Sequence, residues 1–392
     1  MKKLRCLGPM ALFMAVYYMT NSIYQGYMSL FYTSIRFSSA QIGVINTAVA
    51  LSSLGGQPLW GSLGDRSRSR RRLIALLSLA AAGAVLAFRA ADGFAGQLCL
   101  AALFAFFYTA IQPMGDAVVL KRLQAEDLPY GPLRLCGCAA FALSGLVFGR
   151  IIDGAGRASR VPLFTAIACA LTGLSAMALP VSPGGQAENG RRMSFAALIK
   201  HRDLIRLLAL MAPVQITMGY FYTFFAPHFT SLDGGSESLL GACYLISAAS
   251  EVPFLLMADR LFDRFGAGRL MCSAALSLAI RWTLLASGST VAAAMFSQVF
   301  HGWGFIVMTV CMAKYISRTV PRELQASGQM LLAIVSFGIA RTAGNLGGGF
   351  LADVMGRQNV FWICAGMCAV TLCIFGPIFL KAPPLNGLEA AR

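Results

Sequence analysis

Gly61-Ser62-Leu63-Gly64-Asp65-Arg66-Ser67-Arg68-Ser69-Arg70-Arg71-Arg72 stands between two apolar stretches, residues 41–64 and 73–89, each close to the length of a membrane crossing. A hydrocarbon layer ~30 Å thick takes roughly 20 helical residues to span. Arginines crowded between two such stretches read as a cytoplasmic turn, because basic residues are retained on the inner side. Outward from this turn the same alternation continues, with spans at residues 8–33, 41–64, 73–89, 96–120, 132–152, 161–180, 204–231, 239–260, 269–287, 291–314, 325–352 and 358–380. Almost nothing of the 392 residues is left for a soluble module.

The composition excludes other classes. The chain is 57% hydrophobic and 12% charged, whereas about a quarter of a soluble domain is charged. The net charge of +16 does not indicate nucleic acid, since the basic residues sit in short clusters between apolar runs and not on one surface. With a cytoplasmic N-terminus, 24 of the 32 Lys and Arg fall in or beside inner segments, and six (Arg36, Arg89, Arg150, Arg157, Arg160 and Arg357) lie outside. Arg281 and Arg341 lie within spans. The expected location is the cell membrane, multi-pass, with both termini cytoplasmic. Lys2, Lys3 and Arg5 precede an apolar run too long for a signal peptide, so it is read as a retained first helix. The eleven cysteines show no paired CxxC spacing, and neither a metal site nor a disulfide framework is expected.

A polar interval from Ser182 to Arg202 divides six spans from six. This gives a bundle over 1–181, a cytoplasmic linker over 182–202 and a second bundle over 203–392. Weak internal echoes support the division: Gly64-Asp65-Arg66 returns as Ala258-Asp259-Arg260, and Asp153 to Arg157 returns as Asp353 to Arg357. The expected fold class is an all-α integral membrane protein, with twelve transmembrane helices in two pseudo-symmetric six-helix bundles. Duplicated halves around a central site are a transporter architecture.

Ionised groups at bilayer depth cost at least ~2.5 kcal/mol, so they face a cavity or a partner. At 1.5 Å per residue, Glu251 lies about 18 Å from the outer end of its span, Arg281 about 18 Å from the inner end of its own, and His301 about 15 Å from an outer end. Glu251 is either a proton carrier or one arm of a salt bridge to Arg281; His301 is either a relay or a packing residue. Asp116 and Arg134 flank the turn Lys121 to Gly131 and can reach similar depth, as a structural pair or as a hydrogen-bonding site for a solute. Tyr17, Asn21 and Tyr24 share one face of the first span and Tyr220 one face of the seventh, as cavity lining or helix packing. Arg341 is placed toward the outer side and has no evident partner.

The loop from Gly61 to Arg72 resembles the loop signature of the major facilitator superfamily, with Arg68 where a glycine is usual. The resemblance implies a gating role for Gly61, Asp65 and Arg66, with Gly61 allowing close helix packing and Asp65 meeting a basic group or a helix N-terminus. The stretch Asp116 to Gly149, centred on Tyr130-Gly131-Pro132-Leu133-Arg134, resembles the lactose permease and phenylpropionate-permease-like branch, as do Glu251-Val252-Pro253-Phe254, Arg264-Phe265-Gly266, Ala279-Ile280-Arg281-Trp282 and the run from His301 to Ile316. It implies that Asp116 and Arg134 contact substrate, that Phe141 takes the place of a stacking tryptophan, and that Arg281 and His301 belong to a proton-coupling cluster. Two acids of that pattern fall at Gly304 and Ala248, which leaves Glu251 as the substitute carrier.

The resulting expectation is a secondary transporter of a small organic solute of the sugar, nucleoside or aromatic acid class, working by alternating access as a proton symporter. The alternatives are a proton-antiport exporter and a non-transporting sensor. No enzyme is expected, because no nucleophile with a base, metal-ligand set or dinucleotide loop is visible; Gly347-Gly348-Gly349 lies within a span. No cofactor is expected beyond a proton gradient. The expected partners are the small solute and the lipid bilayer, with no nucleic acid, and the chain is expected to be a monomer.

Overall fold

The computed structural model describes residues 2–91, 93–154, 156–182, 198, 201–321, 324–381 and 385, and their side chains apart from those of 2–6 and 326. The linker read at 182–202 therefore lies largely outside the described residues.

The helices in chain order are α1 (Lys2–Ser34), α2 (Ser39–Arg66), α3 (Arg70–Leu86), α4 (Gly93–Tyr108), α5 (Ile111–Ala125), α6 (Gly131–Ile152) and α7 (Val161–Met177). They continue as α8 (Arg202–Thr230), α9 (Glu237–Ser287), α10 (Val291–Ser297), α11 (Val299–Ile306), α12 (Met312–Thr319), α13 (Gln325–Ala333), α14 (Arg341–Met355) and α15 (Arg357–Lys381). Among the described residues, nine helical stretches are long and apolar enough to cross a membrane. The twelve-span reading also counts α1 and α2 and divides α9 at Gly266.

Local chemistry sets the boundaries. Ser38 caps α2 through a reciprocal pair with Gln41, Thr290 caps α10, and prolines occupy the first turns of α6 and α7. The span expected at 96–120 breaks into α4 and α5. Pro113 has no N–H to give the Thr109 carbonyl, which accepts instead from Gln57 Nε2 at 3.4 Å. The turn expected between residues 260 and 269 is helical on both sides of Gly266, whose φ of 73° suits glycine and kinks the helix there. π-helical turns at Val307–Cys311 and Ile334–Ala340 interrupt the tenth and eleventh spans.

Two units form along the chain, Met1–Asn189 with Ser236–Leu245, and Gly190–Gly235 with Ile246–Arg392. In the first, α1 packs on α6 and α7, α3 on α7, and α2 on α4, with Thr20 and Thr172 joined through their hydroxyls at 2.9 Å. In the second, α8 lies against α14 and α15, and Trp282 Nε1 donates to Thr217 Oγ1 at 2.9 Å. Leu76, Leu79, Leu174 and Val354 are each more than half exposed. Such outward leucines and valines suit contact with lipid tails, which are as apolar as the side chains themselves.

Candidate functional site

The second unit brings Glu251, Arg281 and His301 together. Gly302 makes this possible by lying directly against the Ser250 backbone, so close that a Cβ there would collide with the Ser250 carbonyl. The Gly302 N–H donates to Ser250 Oγ at 2.9 Å. That approach sets His301 beside Glu251, with Nε2 to Oε1 at 3.4 Å. On the other side of the ring, Arg281 Nη1 meets His301 Nδ1 at 2.8 Å. Glu251 and Arg281 are thus joined through the imidazole.

The donor inventory fixes the imidazole. A guanidinium has no acceptor, so Nδ1 must accept from Arg281 and the proton of a neutral ring sits on Nε2, facing Glu251. A second proton on Nδ1 would point at the guanidinium. Arg281 is fully buried. Its Nη2 donates to Gln298 Oε1 at 2.7 Å, an oxygen that also accepts from Ser247 Oγ at 2.8 Å. Phe221 lies beneath the guanidinium at 3.9 Å, and Phe305 stacks on His301 at 5.5 Å between ring centres.

Arg341 belongs to the same cluster. It follows Gln325 by sixteen residues and precedes Met355 by fourteen in the helical run from Gln325 to Met355, so the placement toward the outer side is corrected to near the middle of that run. The shift arises because helix continues to Met355, three residues past the expected end at 352. The guanidinium lies over Tyr222 at 4.7 Å and Phe337 at 4.6 Å. Tyr222 connects it to the rest, its ring lying under the Arg341 guanidinium and 6.1 Å from His301.

In the first unit the expected pair Asp116 and Arg134 does not form. Asp116 Oδ1 accepts from Tyr130 at 2.9 Å, while Arg134 lies over the Tyr18 ring at 4.9 Å. Both act electrostatically on Tyr17. Tyr17 stacks on Tyr108 at 5.7 Å and donates weakly to Gln112 Oε1 at 3.4 Å; Gln112 Nε2 donates in turn to Tyr18 at 3.0 Å. Tyr24 joins through Tyr108 and Phe104. Asn21 accepts from Gln25 on its own helix at 2.9 Å. Phe141 has no ring partner among the described residues and is half-buried. Tyr220, expected as cavity lining, is buried and donates to the Arg357 carbonyl at 2.6 Å, so it braces helices.

At the loop, Asp65 accepts from Arg70 Nη2 at 2.5 Å, and Arg71 closes the carbonyls of Met177 and Leu179. Arg66 is exposed. Gly61 has open space around it, so the expected close packing is corrected: Gly64 is the tight position, with its Cβ site 2.8 Å from Met114 Cε. A cleft of about 200 Å³ lined by Gln57, Gly61, Asp65, Arg70 and Met114 lies beside this loop.

Gln298, Ser247 and Tyr222 escaped the sequence reading. The first two sit at i−3 of His301 and i−4 of Glu251, the spacing at which helix neighbours meet.

Residues 8–363 match the profile of the MFS_1 like family. The chain belongs to this family. Among its relatives, the maltose permease of Geobacillus stearothermophilus is 29% identical over 325 residues, 81% of this chain and 80% of that one. The probable 3-phenylpropionic acid transporter of Escherichia coli (strain K12) is 24% identical over 355 residues, 89% and 92% of the two chains. A crystal structure of the nucleoside transporter NupG superposes with a TM-score of 0.78 at 18% identity, covering 96% of this chain and 99% of that one. The MFS_1 like chain is therefore a multi-pass membrane protein with the major facilitator fold, in a family of small-molecule transporters.

Proposed function

We propose that this chain moves a small organic solute together with a proton, with Glu251 as the proton carrier. The observation that carries the reading is the chain Arg281 to His301 to Glu251, in which the neutral imidazole accepts from the arginine and offers its Nε2 proton to the carboxylate. An ionised Glu251 holds that contact most strongly; a protonated one releases it at small cost, since a charge-assisted hydrogen bond is roughly twice as strong as a neutral one. A proton on Glu251 therefore changes the relative energy of conformations that keep or break the contact, which is what coupling requires. Asp116, Arg134, Tyr17 and Tyr24 supply hydrogen-bonding and aromatic surface for the solute.

A maltose permease, a probable 3-phenylpropionic acid transporter and a nucleoside transporter among the similar proteins support a solute of the sugar, aromatic acid or nucleoside class. Six-helix halves at 1–181 and 203–392, cytoplasmic termini, a gating role for the loop at Asp65 and a monomeric working unit belong to the same proposal.

Uptake of a labelled panel of these classes into proteoliposomes, with and without an inward proton gradient, tests it. The wild type should accumulate one solute when the gradient is imposed, and Glu251→Gln should lose accumulation while keeping gradient-free exchange. Equal, gradient-insensitive uptake by both proteins removes proton coupling at Glu251.

A further inference from the structure

Arg341 is a cation at the middle of a membrane span with nothing to balance it. Among the described residues its side chain takes part in no ion pair or hydrogen bond, and its Nε is buried without a partner. Its neighbours are two aromatic faces, Tyr222 and Phe337. Each cation–π contact contributes about 0.5–2 kcal/mol, so the two together about match the ~2.5–3.5 kcal/mol that an arginine at the centre of a span costs on insertion scales, and they supply no acceptor for the buried Nε–H. The π-helical turn Ile334–Ala340 immediately precedes Arg341; such turns re-aim the residues around them and recur at functional sites.

Charge arithmetic extends the point. Arg281 and Arg341 are two cations and Glu251 is one anion; with His301 neutral, the cluster carries one excess positive charge. Arg281 is engaged by His301 and Gln298. Arg341 is the member whose charge has no counterpart among the described residues, and the Tyr222 hydroxyl beside it makes no hydrogen bond among them either. A neutral sugar or nucleoside would leave the excess in place, whereas a carboxylate would remove it and satisfy the guanidinium fork.

We propose that Arg341, with Tyr222 and Phe337 beside it, is the carboxylate subsite of the transporter, and that the solute is a monocarboxylic acid with an apolar or aromatic body. This rests on the transport reading above and narrows its solute class. The carboxylate lies against Arg341 with the Tyr222 hydroxyl as a second donor, and the body packs on the rings of the cluster. Glu251 remains the proton carrier: its protonation raises the cluster's excess to two positive charges, and the carboxylate at Arg341 brings it back to one.

Binding to the purified full chain in detergent tests the subsite without requiring flux. The probes are benzoate, phenylacetate and 3-phenylpropanoate, each against its uncharged amide, with maltose and uridine as neutral solutes. The wild type should prefer at least one acid over its amide by about tenfold or more. Arg341→Gln should lose about tenfold or more in acid affinity while binding the amide as before, and Arg341→Lys should recover part of the loss. Should Arg341→Gln fail to give monodisperse protein, the acid–amide preference of the wild type and the Arg341→Lys and Tyr222→Phe variants decide.

Counterflow in liposomes separates the two readings. Acid binding that depends on Arg341 without flux upholds the subsite and removes transport. Flux of a neutral solute with no acid bound upholds transport and overturns the subsite. An amide bound as tightly as its acid, wild-type acid affinity in Arg341→Gln, or no binding of any acid in the panel also overturns it.

Discussion

The cluster in the first unit separates its charges, and the cluster in the second concentrates them. Asp116 is held by a tyrosine hydroxyl and Arg134 by an aromatic face, with no ion pair between them; their charges sum to zero and each sits beside groups that water or a solute hydroxyl can replace. In the second unit Arg281, His301 and Glu251 form a continuous line of polar contacts, and Arg341 adds a cation with no ion-pair partner among the described residues. The segments at the end of α2 and around Asp259 both close ion pairs but differ in reach. Asp65 meets Arg70 at the start of the next helix, while Asp259 and Asp263 reach across to Lys314 and Arg318 on α12. One cluster is suited to recognising hydroxyls and ring faces, the other to fixing charge. The two units thus carry different electrostatic arrangements.

The largest expected effect tests that contrast at the arginines. Arg281→Met removes donors to His301 Nδ1 and Gln298 Oε1 in a fully buried setting. It should destabilise the protein by about 3 kcal/mol, since hydrogen bonds from a charged group are each worth ~1.5–3 kcal/mol. Arg134→Met removes a cation–π contact and should cost about 1 kcal/mol or less. Thermal unfolding of the two variants in detergent reads the difference; equal losses would erase the distinction between the clusters.

Glycines give the next effect. Gly302→Ala drives a Cβ into the Ser250 backbone, which cannot rotate away, and should cost about 1–3 kcal/mol while separating His301 from Glu251. Gradient-driven uptake should fall with it. Gly61→Ala meets nothing within 4 Å and should be neutral or stabilising by up to about 1 kcal/mol, as alanine orders a helix better than glycine. A destabilised Gly61→Ala with a well-tolerated Gly302→Ala would reverse the assignment of which region is closely packed.

How much of this was legible follows from what the bilayer imposes. Apolar length and arginine placement are first-order consequences of a hydrocarbon core, so the membrane fold and the mid-span residues Glu251, Arg281 and His301 could be read from sequence. Asp116 and Arg134 could be named but not paired correctly, because Tyr18 and Tyr130 compete for them and tyrosines are too common in spans to be read as partners. Gln298 and Ser247 are neutral and carry no insertion cost that would single them out. Arg341 was visible, yet its depth depended on where the helix ends, and the extension to Met355 moved it to mid-span. The turn expected after residue 260 comes at Gly266, where the backbone leaves the helix, and helix runs on as far as that point with Asp263 paired to Arg318. Polar residues there read as loop in one dimension and as one charged helix face in three.

The smallest expected effect lies at Asp116. Asp116→Asn keeps an oxygen to accept from Tyr130 and removes only the charge, so stability should change by less than about 1 kcal/mol. If the first cluster recognises solute through hydrogen bonds to hydroxyl or amide groups, half-saturation of uptake should rise by roughly fivefold, the ratio that corresponds to ~1 kcal/mol between a charged and a neutral acceptor. Arg341→Gln, which removes a cation from the second cluster, should exceed that. Should Asp116→Asn abolish transport while Arg341→Gln leaves it intact, charge recognition would belong to the first unit. The separated pair Asp116 and Arg134 would then be the state of a site waiting for a charged solute to bridge it.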